Sequence, residues 1–215
     1  QLDGMRAPDQ KEAFDLLAAE ILESDPGNTE VMLAQLKRID NDGETRKKNL
    51  LEILRLCDEL LSQIDEKAVA AGLGVREVEG QEPDLLNGKT PKAWSALLQD
   101  LHYRKCRALA YRDGEAEKRG ETFDPAPFNE AYDAMARWVD MSEGDFLLVR
   151  IRKERRENRF GTALKLLNGL LKKSPTDRKL HEKRQRILAK LGWQDWEAWE
   201  KQWFSRRFPK EIPEF

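Results

Sequence analysis

At 215 residues the chain is long enough for one large or two small domains and a sizeable buried core. Its 38 Lys and Arg nearly cancel its 40 Asp and Glu, for a formal charge of -2, so no global field draws it to nucleic acid or an anionic membrane. No apolar run nears the ~18 residues of a membrane span, and neither kind of partner is expected.

Helical periodicity runs from one end to the other. "DQKEAFDLLAAEILES" sets Ala13, Leu16, Leu17 and Ile21 on one face at i, i+3, i+4 spacing. "SDPGN" (Ser24 to Asn28) stops that helix, and "TEVMLAQLKRI" starts the next. "ETRKKNLLEILRLCDELLSQID" reads as a single helix from Glu44 to Asp65, with a stripe of Leu50, Ile53, Leu54, Cys57, Leu60, Leu61 and Ile64. The pattern lapses from Ala70 to Lys89, where glycines and Pro83 predict a long loop. "VREVEG" (Val75 to Gly80), short and charged, is the best strand candidate.

Thr90 and Pro91 then supply a cap and a first helical position. The following helix has an apolar face of Trp94, Leu97, Leu98, Leu101, Cys106 and Leu109. "FDPAP" (Phe123 to Pro127) breaks the chain, and "FNEAYDAMARWVDM" resumes with Phe128, Tyr132 and Met135 at helical spacing. "EGDFLLVRIRKERRENR" comes next, its second half strongly basic.

Two stretches read as copies. "AFDLLAAEILESDPGNTEVMLAQLKRI" (Ala13 to Ile39) aligns with "ALKLLNGLLKKSPTDRKLHEKRQRIL" (Ala163 to Leu188). Each is a helix, a Pro-containing turn and a second amphipathic helix, the hairpin logic of tetratricopeptide-type repeats. The expected fold is all-α: one helical domain over residues 1–215, its hairpins stacked as an α-solenoid or as an irregular bundle. Its parts are N-terminal helices over 1–66, a loop over 67–90, and C-terminal helices with an extended tail over 91–215. The sequence opens at Gln1 without an initiator Met or a basic-then-apolar leader, and it is expected to be a segment of a longer polypeptide.

Residues that could carry chemistry are sparse. His102 and His181 fall on different predicted helices, and His102 beside Tyr103 reads as an ordinary helix-face histidine. No serine sits in a Gly-x-Ser-x-Gly elbow. Cys57 and Cys106 lie inside helical patterns and read as small buried hydrophobes rather than a disulfide. No Cys-x-x-Cys, His-Glu-x-x-His or calcium-loop spacing occurs, so no metal and no cofactor is expected. "RIRKERRENR" (Arg150 to Arg159) is interrupted by two Glu and lacks aromatics for base stacking. It reads as a solvated helix face or a contact for an acidic partner.

The tryptophans are the unusual feature. "LGWQDWEAWEKQWF" (Leu191 to Phe204) holds Trp193, Trp196, Trp199 and Trp203, four of the chain's six. At ~100° per residue the last three share one stripe. We expect them to pack on the preceding hairpin, chiefly on Leu164, Leu167 and Leu171, and to seal the end of the stack. Gly192 ends the helix before them. The tail "RRFPKEIPEF" carries two prolines and lies extended, held by Phe208, Ile212 and Phe215.

These residues also carry a resemblance. Leu191-Gly192-Trp193, Trp203, a prolyl tail and the terminal Phe215 resemble the chain ends of the tripeptidyl peptidase II family, giant subtilisin-like serine peptidases. Ser62 to Asp65 resembles that family's Ser-Gln-Ile-Asp element, and Cys106 with Ala108-Leu109-Ala110 its Lys-x-Cys-x-Ala-Leu-Ala segment. "FNEAYDAMARWVDM" resembles its Phe-x-Glu-x-Tyr/Phe helix ending in Arg-Trp. The resemblance covers Glu44 to Phe215. It implies a cytoplasmic, non-catalytic C-terminal helical region of a peptidase that removes tripeptides from peptide N-termini. The implied partners are the parent's other domains and further copies of the parent subunit. The family's catalytic Asp, His and Ser belong to a subtilisin domain this sequence does not include, so no residue here inherits a catalytic role. The competing expectation is a free-standing helical-repeat module that binds a protein or peptide.

Overall fold

A computed structural model of the chain describes residues 8–41, 43–66, 69–70 and 91–207. Residues 71–90, which hold most of the expected loop, the Val75–Gly80 strand candidate and the Thr90 cap, lie outside them. So do Phe208, Ile212 and Phe215 of the expected tail. The described residues form ten helices and no strand. These are α1 (Pro8–Ser24), α2 (Thr29–Asn41), α3 (Gly43–Lys48), α4 (Leu50–Ser62), α5 (Pro91–Lys118), α6 (Ala126–Ala136), α7 (Gly144–Arg156), α8 (Phe160–Lys173), α9 (Arg178–Leu191) and α10 (Gln194–Arg207). None of them is long and apolar enough to cross a membrane. The chain falls into two compact units, residues 1–139 and 140–215.

The two predicted copies are real hairpins with the same turn chemistry. In α1–α2 the Asn28 side chain accepts from the Val31 backbone N–H at 3.1 Å. In α8–α9 the Asp177 side chain accepts from the Leu180 N–H at 3.1 Å. Each satisfies one donor that a helix start leaves unpaired. The buried face of α1 differs from expectation. Phe14 and Ala18, with Ile21 beside them, pack on Val31, while Leu16 and Leu17 are exposed. Phe14 fills more of the α2 surface than either leucine, and the Arg38 guanidinium covers its ring at 5.3 Å.

In the first unit α4 packs on both α2 and α5, and α5 on α6. Their core includes Ile53, Leu56, Cys57, Leu60, Trp94, Leu98, Leu101, Phe128 and Met135. The single helix predicted from Glu44 to Asp65 is broken at Asn49. The reason is a buried carboxylate. Asp40 at the end of α2 accepts from Arg46 Nε at 2.8 Å, from Arg104 Nη1 at 2.6 Å and from Arg107. Arg46 Nε also donates to the Asp40 carbonyl at 2.9 Å. Holding Arg46 there fixes α3 as a separate short helix, and Asn49, at φ -115° and ψ 29°, makes the corner.

In the second unit each helix packs on the next, α7 on α8, α8 on α9, α9 on α10. Its core joins Leu147 and Ile151 of α7, Ala163, Leu164, Leu167 and Leu171 of α8, and Leu180, Ile187 and Leu188 of α9. The core cluster takes no tryptophan from α10.

Cys57 and Cys106 are not joined in a disulfide, and both are fully buried. Burial pushes the Cys57 thiol up to about 12. Both thiols are therefore expected to resist iodoacetamide at neutral pH until the chain is unfolded. Rapid labelling of either in the native protein, read by mass spectrometry, would contradict this packing.

Candidate functional site

Helix α9 has two working faces. Leu180, Ile187 and Leu188 point into the core shared with α8. Arg178, His181 and Arg184, at i, i+3 and i+6, make a polar stripe that meets α10. The reversal between the two helices is made by Gly192, whose φ of 70° and ψ of 18° lie in the left-handed region that glycine adopts without strain. Its N–H donates to Ala189 O at 3.1 Å, and the Trp193 N–H to Leu188 O at 3.2 Å. The chain then re-enters helix at Gln194, so this part of the sequence reading holds.

The face that α10 turns inward is not the indole stripe. Glu200, 1% exposed, is the buried residue of α10. Its carboxylate meets His181 Nδ1 at 2.6 Å and accepts from Arg184. His181 is 3% exposed, and its Nε2–H donates to the Pro175 carbonyl at 2.9 Å. That carbonyl can only accept, so Nε2 is the donor of this contact. The His181 ring stacks on Trp203 with centroids 4.1 Å apart, and Arg178 lies over the Phe204 ring at 5.7 Å.

The expectation that Trp196, Trp199 and Trp203 seal the stack is thereby corrected. Trp193 is 49% exposed, Trp196 62% and Trp199 52%. Trp203 alone of the four is half-buried. Leu164, Leu167 and Leu171 are covered by α7 and α9 instead. The physical cause is the partner surface. The apolar side of α9 is already occupied, and the side left for α10 is basic, so α10 offers its acid. At ~100° per residue, Glu200 and Phe204 lie roughly 90° around the helix from the indole stripe.

The exposed indoles wall a surface hollow. Trp196 and Trp199 stand edge to face, centroids 6.3 Å apart and planes at 71°. Among the described residues, Asp195, Trp196 and Trp199 line a hollow of about 440 Å³. A second, of about 450 Å³, is lined by Gly192, Trp193, Gln194, Asp195 and Trp196. Phe208 and Phe215, the other expected packing residues, lie outside the described residues.

Neither histidine is a free helix-face residue. His102 is buried, and its Nε2–H donates to Glu66 Oε1 at 2.9 Å. Trp138 Nε1–H donates to the other oxygen of Glu66 at 3.1 Å. His102 Nδ1 is buried with no hydrogen-bond partner, which a neutral ring tolerates better than a charged one. Burial accordingly pulls the His102 pKa down, against the opposing pull of Glu66. The basic run is not a solvated face either. Arg150, Arg152, Arg155 and Arg156 are half-buried, and Glu154, buried among them, accepts from Arg159 Nε at 2.6 Å.

Two outcomes follow. Glu200→Ala strands His181 and Arg184 without their acceptor and is expected to cost about 3–5 kcal/mol in chemical denaturation. Trp196→Ala and Trp199→Ala should each cost under ~1 kcal/mol, as at ordinary surface positions. The reverse ranking would contradict the inward placement of Glu200. For His102, the unfolded chain takes up the proton first as pH falls, so native stability drops below about pH 6.5 and is fully present above it. Replacing His102 by Gln should shrink that drop, measured as urea midpoints on either side of this pH. An identical drop in the variant would exclude His102 as its source.

Two curated proteins are similar to the chain over most of its length. Tripeptidyl-peptidase 2 of Oryza sativa subsp. japonica is 28% identical over 214 residues, covering 96% of this chain and 16% of that protein. Tripeptidyl-peptidase 2 of Arabidopsis thaliana is 30% identical over 174 residues, covering 76% of this chain and 12% of that protein. The chain thus spans only a small part of the length of the relatives it matches. No protein-family model matches it, and no solved structure does. On this sequence similarity, the chain is related to tripeptidyl-peptidase 2.

Proposed function

We propose that the chain is a non-catalytic helical segment of a tripeptidyl peptidase II-like serine peptidase, the part that packs subunits rather than the part that cuts. The parent would remove tripeptides from peptide N-termini through a subtilisin domain elsewhere in its sequence. The observation that carries this reading is α10. A helix that turns a glutamate inward leaves Trp193, Trp196 and Trp199 about half in water. Indoles in that position mark a surface that another protein covers.

The histidines support the non-catalytic half of the reading. Both ring nitrogens of His181 are engaged, and its acceptors are a glutamate and a backbone carbonyl. A general base needs a nitrogen free to take a proton from a nucleophile. His102 spends its Nε2–H on Glu66 inside the first unit, and its unpartnered Nδ1 is buried out of reach of a nucleophile. Such rings hold helices together.

Sedimentation velocity across a concentration series tests the packing role. The chain is expected to associate as concentration rises, and the double variant Trp196→Ala/Trp199→Ala to remain monomeric. A double variant that associates like the parent chain would move the interface elsewhere. A parent chain that stays monomeric throughout would remove self-packing as its role.

A further inference from the structure

The exposed face of α10 is not uniformly apolar, and among the described residues one of its carboxylates is without an ion-pair partner, which narrows what covers it. The other carboxylates of this helix are spoken for. Glu197 pairs with Lys201 at 2.5 Å, and Glu200 is buried against His181 and Arg184. Asp195 is exposed, has no counter-ion among the described residues, and stands between the two hollows, helping to wall both. Trp199 lies one helical turn beyond it, on the same side of the helix. Trp196 and Trp199, paired edge to face and more than half exposed, keep indole π-surface open to solvent in the hollow that Asp195 also lines. Indole faces are electronegative, and a cation over one is attracted to it. Two such faces with a carboxylate beside them complement a positive group. A neutral apolar side chain would strip water from Asp195 and give nothing in return. Of the two cationic side chains, arginine fits better. Its guanidinium is planar, weakly hydrated, stacks on an indole and can meet a carboxylate with two parallel N–H groups.

We propose that Asp195, Trp196 and Trp199 form a receptor for an arginine side chain presented by the protein that packs on α10. This rests on the reading of α10 as a packing surface and adds the chemistry of the partner's anchor. The charge on Asp195 supplies the selection for a cation, and the two indoles supply the contact area. Tryptophan on this side and arginine on the other are residue types that dominate the binding energy of protein interfaces.

The test uses the full chain and two small probes, N-acetyl-arginine methylamide and its neutral isostere N-acetyl-citrulline methylamide. Indole fluorescence and the indole N–H resonances of Trp196 and Trp199 report binding. The arginine probe is expected to perturb both indoles saturably, and the citrulline probe to bind at least about fivefold more weakly. Asp195→Asn should weaken the arginine probe by about fivefold or more, and Trp196→Ala/Trp199→Ala should abolish its binding, read for this variant from the probe's own resonances by saturation transfer. All these positions are at the surface, and circular dichroism should show the variants folded. Equal response to the two probes, no saturation, or full affinity in Asp195→Asn would overturn the receptor. Sedimentation separates this from the packing role. If the probes are not distinguished while the double variant still prevents association, the receptor falls and subunit packing stands. If the probes are distinguished while the double variant associates normally, the receptor stands and packing through this face falls.

Discussion

Glu200 sits where an amphipathic helix would place a leucine, and a carboxylate there must be neutralised or the helix cannot dock. His181 and Arg184 of α9 do this, one on each oxygen. The requirement runs in both directions. With its leucines turned toward α8, α9 meets α10 through Arg178, His181 and Arg184, and α10 answers with an acid and two aromatic rings. That match fixes the rotation of α10, and the rotation decides that the indoles face water. The exposed tryptophans are a consequence of how the charges pair.

The first unit obeys the same rule with different parts. Asp40 is buried beneath Arg46, Arg104 and Arg107, which come from α3 and α5. Glu66 is tied by His102 and Trp138. Ion pairs of this kind add little net stability, because removing two charges from water costs nearly what their attraction returns. Their effect is on geometry. A leucine in the same place would accept several rotations and registers of its neighbour, whereas a carboxylate with two or three fixed donors accepts one. The break at Asn49 shows this: the apolar stripe runs on through Leu50 and Ile53, yet Arg46 is held to Asp40 and the helix cannot continue straight.

Much of this architecture can be read in the residues. Periodicity and caps locate the helices, and the paired turns at Asn28 and Asp177 mark two equivalent hairpins. Pro91 opens α5 and Gly192 closes α9. What resists reading is helix rotation. In α10 any count of apolar residues is dominated by three indoles, and one of its three acidic residues does not stand out. Its importance lies in α9, where Arg178, His181 and Arg184 recur at i, i+3 and i+6 alongside the leucines. A basic stripe flanking an apolar stripe that is already covered is the signal that the next helix brings an acid. In α1 the same difficulty takes a milder form, since Phe14 and Ala18 compete with a more conspicuous Leu-Leu pair.

The proposed packing role draws on this construction. The second unit closes its core without the tryptophans and carries them outward on a helix anchored by charge. The most direct test of that arrangement is hydroxyl-radical footprinting of the dilute, monomeric chain, with each tryptophan's oxidation rate read by mass spectrometry. Trp196 and Trp199 are predicted to oxidise nearly as fast as in the unfolded chain, while Trp94, buried in the first unit, is protected and Trp203 falls between. Protection of Trp196 and Trp199 to the level of Trp94 would contradict the account, because it would mean that α10 turns its indoles inward after all.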